Sequence, residues 1–169
     1  MTMKKSKQLI RLFFLITIVF YSCNSKNSKN INNTAVNDNE QAVTIENKIQ
    51  IPVDFNKQYE IRKEEDLSYS NITRKQLRIT VPSELSKSDL ENNIKHLVIE
   101  YYKSKKPDGI SVLVYEKGDN VESAYTVAMG EFAPFGNWEK INKNTSLNDY
   151  QLNIEFKESY FQPNSTLTD

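Results

Sequence analysis

One cysteine, one histidine, one tryptophan, four glycines and five prolines are spread through 169 residues. A single cysteine excludes a disulfide within the chain. One cysteine and one histidine together exclude a Cys/His metal centre within one chain, which needs three or four such ligands. Four glycines do not make a Gly-rich phosphate loop. No apolar run reaches the roughly 20 residues that a membrane-spanning helix needs. The mean hydropathy of −0.63 likewise argues against a polytopic membrane protein. Neither sign of charge prevails, with 22 Lys+Arg against 22 Asp+Glu. The densest basic group, Lys103, Lys105 and Lys106, suits the negative end of a helix dipole better than a phosphate backbone. No metal, cofactor or nucleic-acid partner is therefore expected. The length allows one ordinary domain with a tail.

What is there begins with Lys4, Lys5, Lys7 and Arg11, followed by the apolar run Leu12 to Tyr21 and then Ser22-Cys23. Ten helical residues cover roughly 15 Å, about half of a hydrocarbon core. That is the length of a signal-peptide apolar region. The segment resembles a bacterial lipoprotein signal peptide, in which a small residue precedes the cysteine that becomes the lipidated N-terminus. Phe20 and Tyr21 stand where that family usually has Leu and a small residue. The resemblance implies cleavage after residue 22, acylation of Cys23 and attachment to a membrane. Each buried methylene of an acyl chain is worth about 0.8 kcal/mol, and two or more chains give stable anchoring. Loss of the four basic residues leaves the mature chain at roughly −4. In some lipoproteins an acidic stretch after the cysteine resembles a surface-export signal. Here Asn24-Ser25-Lys26-Asn27 follows, so the domain is expected to face the periplasm.

Residues 23–45 are rich in Asn, Ser and Lys and too poor in apolar groups to repay ordering. They read as a flexible tether, and residues 46–169 as one domain. Ile49, Ile51, Val53 and Phe55 alternate around Pro52, which predicts an edge strand or an extended arm. Leu77 to Val81 alternates cleanly and stops at Pro82. Ser88 with Glu91 has the capping-box form, and a helix to about Ser104 should bury Leu90, Ile94, Leu97, Val98 and Tyr101. Pro107-Asp108-Gly109 ends it. Ile110 to Tyr115 is apolar on both faces, as in a central strand. It should form a hairpin with 121–129 across Gly118-Asp119-Asn120. After a long irregular stretch, Tyr150, Leu152, Ile154 and Phe156 alternate with Gln151, Asn153 and Glu155, a strand with one wet face. This order predicts a two-layer α+β sandwich, a mostly antiparallel sheet of about five strands with one main helix.

Arg74 with Leu77 to Pro82, Lys106-Pro107-Asp108 before Ile110 to Tyr115, Tyr125-Thr126 and Phe132 to Trp138 together resemble a family of small bacterial domains of unknown function. The resemblance covers roughly residues 58–140. It implies a compact α+β domain and transfers no catalytic or binding residue.

The candidate sites are few. His96 lies off the apolar helix face and reads as exposed. Glu64-Glu65-Asp66 could pair carboxylates but reads as a solvated strand end. Asp119 and Asn120 lack the ladder of oxygen ligands that an ion loop needs. In Phe132-Ala133-Pro134-Phe135-Gly136-Asn137-Trp138, aromatics on a rigid loop can anchor a protein or cell-wall ligand. The competing reading folds Phe132 and Trp138 back over the core edge and leaves Phe135 outside. Phe135 and Trp138 are the nominated partner-binding residues, with no catalytic residue nominated. The expected function is a membrane-tethered, non-catalytic envelope binding module. The alternative is a small envelope hydrolase using carboxylates and hydroxyls.

Overall fold

A computed structural model describes residues 43–162. The signal segment, Cys23 and nearly all of the tether lie outside the described residues. Within them the order is α1 (Ile45–Lys48), β1 (Glu60–Asp66), β2 (Arg74–Val81), α2 (Lys87–Lys105), β3 (Gly109–Glu116), β4 (Ala128–Pro134), β5 (Tyr150–Phe156) and α3 (Glu158–Phe161). The five strands form one sheet in chain order, β1 to β5. Only β2 and β3 are parallel, because α2 carries the chain back between them. The other three pairings are antiparallel. The α+β architecture read from the sequence is the one observed.

Alternation decides what each strand buries. Leu77, Ile79 and Val81 of β2, Ile110, Val112 and Val114 of β3, and Ala128 and Phe132 of β4 turn to one face. They meet Leu90, Ile94, Leu97 and Val98 of α2 there, and all are essentially buried. Tyr150 joins this core, with Leu152, Ile154 and Phe156 half-buried beside it. The opposite face has no helix over it among the described residues. Tyr115 is nonetheless buried on that face, because its hydroxyl donates to the Ser123 carbonyl at 2.8 Å and holds the 117–127 connection against it. β3 is thus the central strand, covered by a helix on one side and only partly by a loop on the other.

Several boundaries differ from expectation, each for a local reason. The helix cap is Ser86, two residues before Ser88. Its hydroxyl accepts from the Asp89 amide at 3.1 Å and donates to the Asp89 carboxylate at 2.7 Å. Leu85 just outside the cap and Leu90 at the fourth position both pack into the core, the arrangement of a hydrophobic staple. At the other end Lys106 is left-handed, its amide bonded to the Tyr102 carbonyl. Of the two readings for 49–55, the arm is observed: Ile49 is buried, Val53 is fully exposed and no strand forms. Ile45, placed at the end of the tether by composition, is buried in the core, and Thr44 caps its short helix.

The β3–β4 hairpin is also narrower than 121–129 implied. Arg78 donates to the carbonyls of Val121 and Ser123. That grip diverts 121–126 into turns, and pairing starts at Ala128.

Candidate functional site

The nominated aromatic segment lies at the end of the sheet where β4 leaves and β5 begins. Pro134 pairs with Tyr150, the last rung between these strands. Phe135 then adopts φ +55°, and Gly136 follows at φ +64°. A left-handed conformation is strained for a bulky residue. It persists because the turn is tied on all sides. The Phe135 amide donates to the Asp149 carbonyl at 2.6 Å, Gly136 to Ala133 at 3.0 Å and Asn137 to Pro134 at 2.9 Å. The Asn153 side-chain amide donates to the Gly136 carbonyl at 2.9 Å. A Cβ on residue 136 would lie 2.3 Å from that same amide nitrogen. The result is a rigid knuckle that presents the Phe135 ring, 59% exposed, to solvent.

Trp138 takes a different position. It starts a 3-10 turn, Trp138–Lys140, and is half-buried. A Cβ on Gly109 would stand 3.3 Å from its ring and 2.3 Å from Ile141. Trp138 and Ile141 therefore pack directly on the bare backbone at the start of β3. The Arg74 guanidinium sits 5.3 Å from the indole and 5.9 Å from the exposed Tyr69 ring, within range of cation–π attraction. Its Nη2 also donates to the Trp138 carbonyl at 3.4 Å. Phe132 is wholly in the core. The fold-back reading thus describes Phe132 fully and Trp138 in part.

The long stretch 134–149 is a strap rather than a free loop. Asp108 anchors it: its carboxylate accepts from the Thr73 amide and from Lys143 Nζ, both at 2.7 Å. Its carbonyl accepts from the Tyr150 hydroxyl at 2.9 Å. Burial and the nearby Asp108 push the Tyr150 hydroxyl up to about 12, so it stays a donor. Lys48 Nζ reaches the Asn148 carbonyl at 2.7 Å. Asp108 read only as a helix stop in the sequence. Nothing local foretold that its carboxylate would clamp Thr73 and Lys143, 35 residues away on either side.

The remaining candidates resolve into structural roles. Glu64 and Glu65 lie on opposite faces of β1. Glu64 accepts from the Tyr101 hydroxyl at 2.6 Å. Glu65 is held down to about 2 by hydrogen bonds from Lys63, Arg78 and Gln76. Asp66 is also held near 2, by Ser68 and Lys75. The run is therefore not a pair of facing acids. Asp119 accepts from the Glu116 amide and the Thr126 hydroxyl, and Asn120 from the Glu122 amide, so their oxygens close the turn. His96 departs from expectation: Phe55 and Tyr59 of the arm lie over it, and it is half-buried. On the uncovered face Glu131 is pushed up by burial and by the nearby Glu155. Among the described residues no group of three or more His, Cys, Asp or Glu side chains is arranged to hold a metal.

No family model, curated protein or solved structure matches this chain.

Proposed function

We propose that the protein is a lipid-anchored, periplasm-facing envelope module that binds a protein partner through the Phe135 knuckle, without catalysis. The observation that carries the reading is an exposed aromatic ring on a left-handed residue, clamped by four backbone and side-chain bonds. Such strain persists where the surroundings over-determine it and often accompanies function. A ring carried on a backbone already fixed loses less entropy on docking than one on a free loop, which favours it as an anchor. A protein pocket suits it better than a flat sugar ring, because the larger indole nearby is already engaged by Arg74. The acidic mature chain also disfavours a phosphate backbone as partner.

The anchor half of the proposal rests on Cys23 and the segment before it. Cys23→Ala should release the protein from the membrane fraction or leave it uncleaved. An unmodified Cys23 in the intact mass of the mature protein would refute that half. For the binding half, Phe135→Ala in the full-length protein should abolish capture of envelope proteins while leaving the fold unchanged. Capture that survives the substitution refutes the assignment of the knuckle.

A second reading, a small hydrolase using carboxylates and hydroxyls, rests on Glu131, a partly buried acid with a raised pKa beside Glu155. Turnover of a generic ester, glycoside or peptide substrate that Glu131→Gln abolishes would favour it over the first.

A further inference from the structure

The two edges of the sheet are built differently. β1 carries Glu60, Arg62, Lys63, Glu64, Glu65 and Asp66 among its seven residues, and its register slips between Ile61 and Lys63. Charge and a bulge are the usual protections of an edge strand. β5 reads Tyr-Gln-Leu-Asn-Ile-Glu-Phe, with one charge, no proline and seven regular pairs to β4. Among the described residues no segment pairs with its outer side.

The bonds at both ends of the β4–β5 ladder reveal which groups face outward. Phe135 N–H donates to the Asp149 carbonyl, and Lys157 N–H to the Val127 carbonyl. Both join directly opposed residues of the β4–β5 register. Residues that exchange bonds across an antiparallel ladder alternate with those that do not. Gln151, Asn153 and Glu155 therefore spend their backbone groups on β4. Leu152, Ile154 and Phe156 turn theirs outward. These same three carry half-buried apolar side chains on the helix side of the sheet.

We propose that β5 is a self-pairing edge, on which a second copy of this chain docks antiparallel about a two-fold axis at Asn153. The strand is complementary to itself in that register. Leu152 meets Ile154, both outward-bonding and apolar, and Phe156 meets Tyr150, whose own N–H is already spent on the Leu147 carbonyl. Gln151 meets Glu155 on the wet face, and no like charges are opposed. Moving the axis one residue, to Leu152, would set Glu155 opposite Asp149. The pairing covers the apolar flank that the single chain leaves half-exposed and satisfies the outward backbone groups. It is an isologous contact, closed at two copies, formed by strand addition. It is independent of the Phe135 partner.

Two differently tagged full-length copies, co-expressed and solubilised from membranes, test the interface. Wild-type copies should co-purify. Gln151→Glu opposes two like-charged pairs across the axis and should weaken self-capture about two- to thirtyfold. Adding Glu155→Lys turns each into an attractive pair and should restore it. One copy with Gln151→Cys and the other with Glu155→Cys should form a mixed disulfide on a non-reducing gel, since opposed residues bring their Cβ atoms to bridging distance. Phe135→Ala should leave self-capture intact. Wild-type copies that do not co-purify, a Gln151→Glu variant that captures normally, or mixed copies that form no disulfide would each overturn the proposal.

Discussion

The Tyr59 hydroxyl and His96 Nδ1 stand 3.0 Å apart. Tyr59 belongs to the arm that follows α1, and His96 to the middle of α2, 37 residues later. Burial, with Glu100 nearby, pushes the Tyr59 hydroxyl up to about 12. It therefore keeps its proton, and the imidazole tautomer sets which of the two groups donates. Burial also pushes His96 below its ordinary value, helped by Lys57 and Lys103 and opposed by Glu100.

This pair sets a pH dependence of stability. With His96 depressed, the unfolded chain takes up a proton near the ordinary value of about 6.5 and the folded protein only at lower pH. Between the two the unfolded state holds more protons, so stability falls as the pH drops through that window. Thermal melts stepped from pH 8 to 5 should show the decline, and His96→Asn should flatten it. Glu65 and Asp66, both depressed, act lower: their contribution is lost as the pH falls from about 4 towards 2. A wild-type melt unchanged between pH 8 and 5 contradicts the assignment.

Phe135 and Trp138 should separate in stability. Trp138→Ala removes a half-buried ring from Gly109 and Arg74 and should cost about 1–3 kcal/mol, less than a fully buried aromatic. Phe135→Gly relieves a left-handed side chain and should be neutral or stabilising by about 1 kcal/mol, while partner capture is lost. Chemical denaturation of the two variants measures both. A large loss in Phe135→Gly would mean that the ring packs inward.

Gly109→Ala should be read most directly through Trp138, the only tryptophan. The new methyl would lie 2.3 Å from the end of the Ile141 side chain and 3.3 Å from the indole. The strap must lift, at a cost of about 1–3 kcal/mol. A red shift of tryptophan emission should accompany it. Unchanged emission together with unchanged stability would show that the strap does not rest on this glycine.

Arg78 ties three segments together. It bonds Glu65 at 3.0 Å, the Tyr115 hydroxyl at 2.9 Å and the carbonyls of Val121 and Ser123. Its side chain is 14% exposed. Arg78→Met keeps the stem but strands these acceptors, and should cost about 2–4 kcal/mol. Hydrogen exchange should quicken in 119–126 before it does so in β3. Exchange that stays slow there would mean that the turns hold without it.

The sequence by itself determined what depends on neighbours in the chain. Period-two alternation marked β2 and β5 because successive side chains of a strand point to opposite faces. The 3.6-residue spacing of Leu90, Ile94, Leu97 and Tyr101 marked α2 for the same kind of reason. The basic patch, short apolar run and Ser22-Cys23 motivate the lipid anchor without reference to any fold. Tertiary structure decided what depends on distant partners. Ser86 and Ser88 both offer an acid three residues on; Leu85 and Leu90 entering the core together accompany the cap at Ser86. Residues 121–126 have strand-like composition, but Arg78, more than 40 residues earlier, takes their carbonyls. His96 looks exposed on a helical wheel, because the wheel contains no arm. Trp138 could fold inward or outward until Gly109, remote in sequence, left bare backbone for it to cover. In each case the deciding energy is desolvation or hydrogen bonding between residues that only the folded chain brings together, so no local pattern carries it.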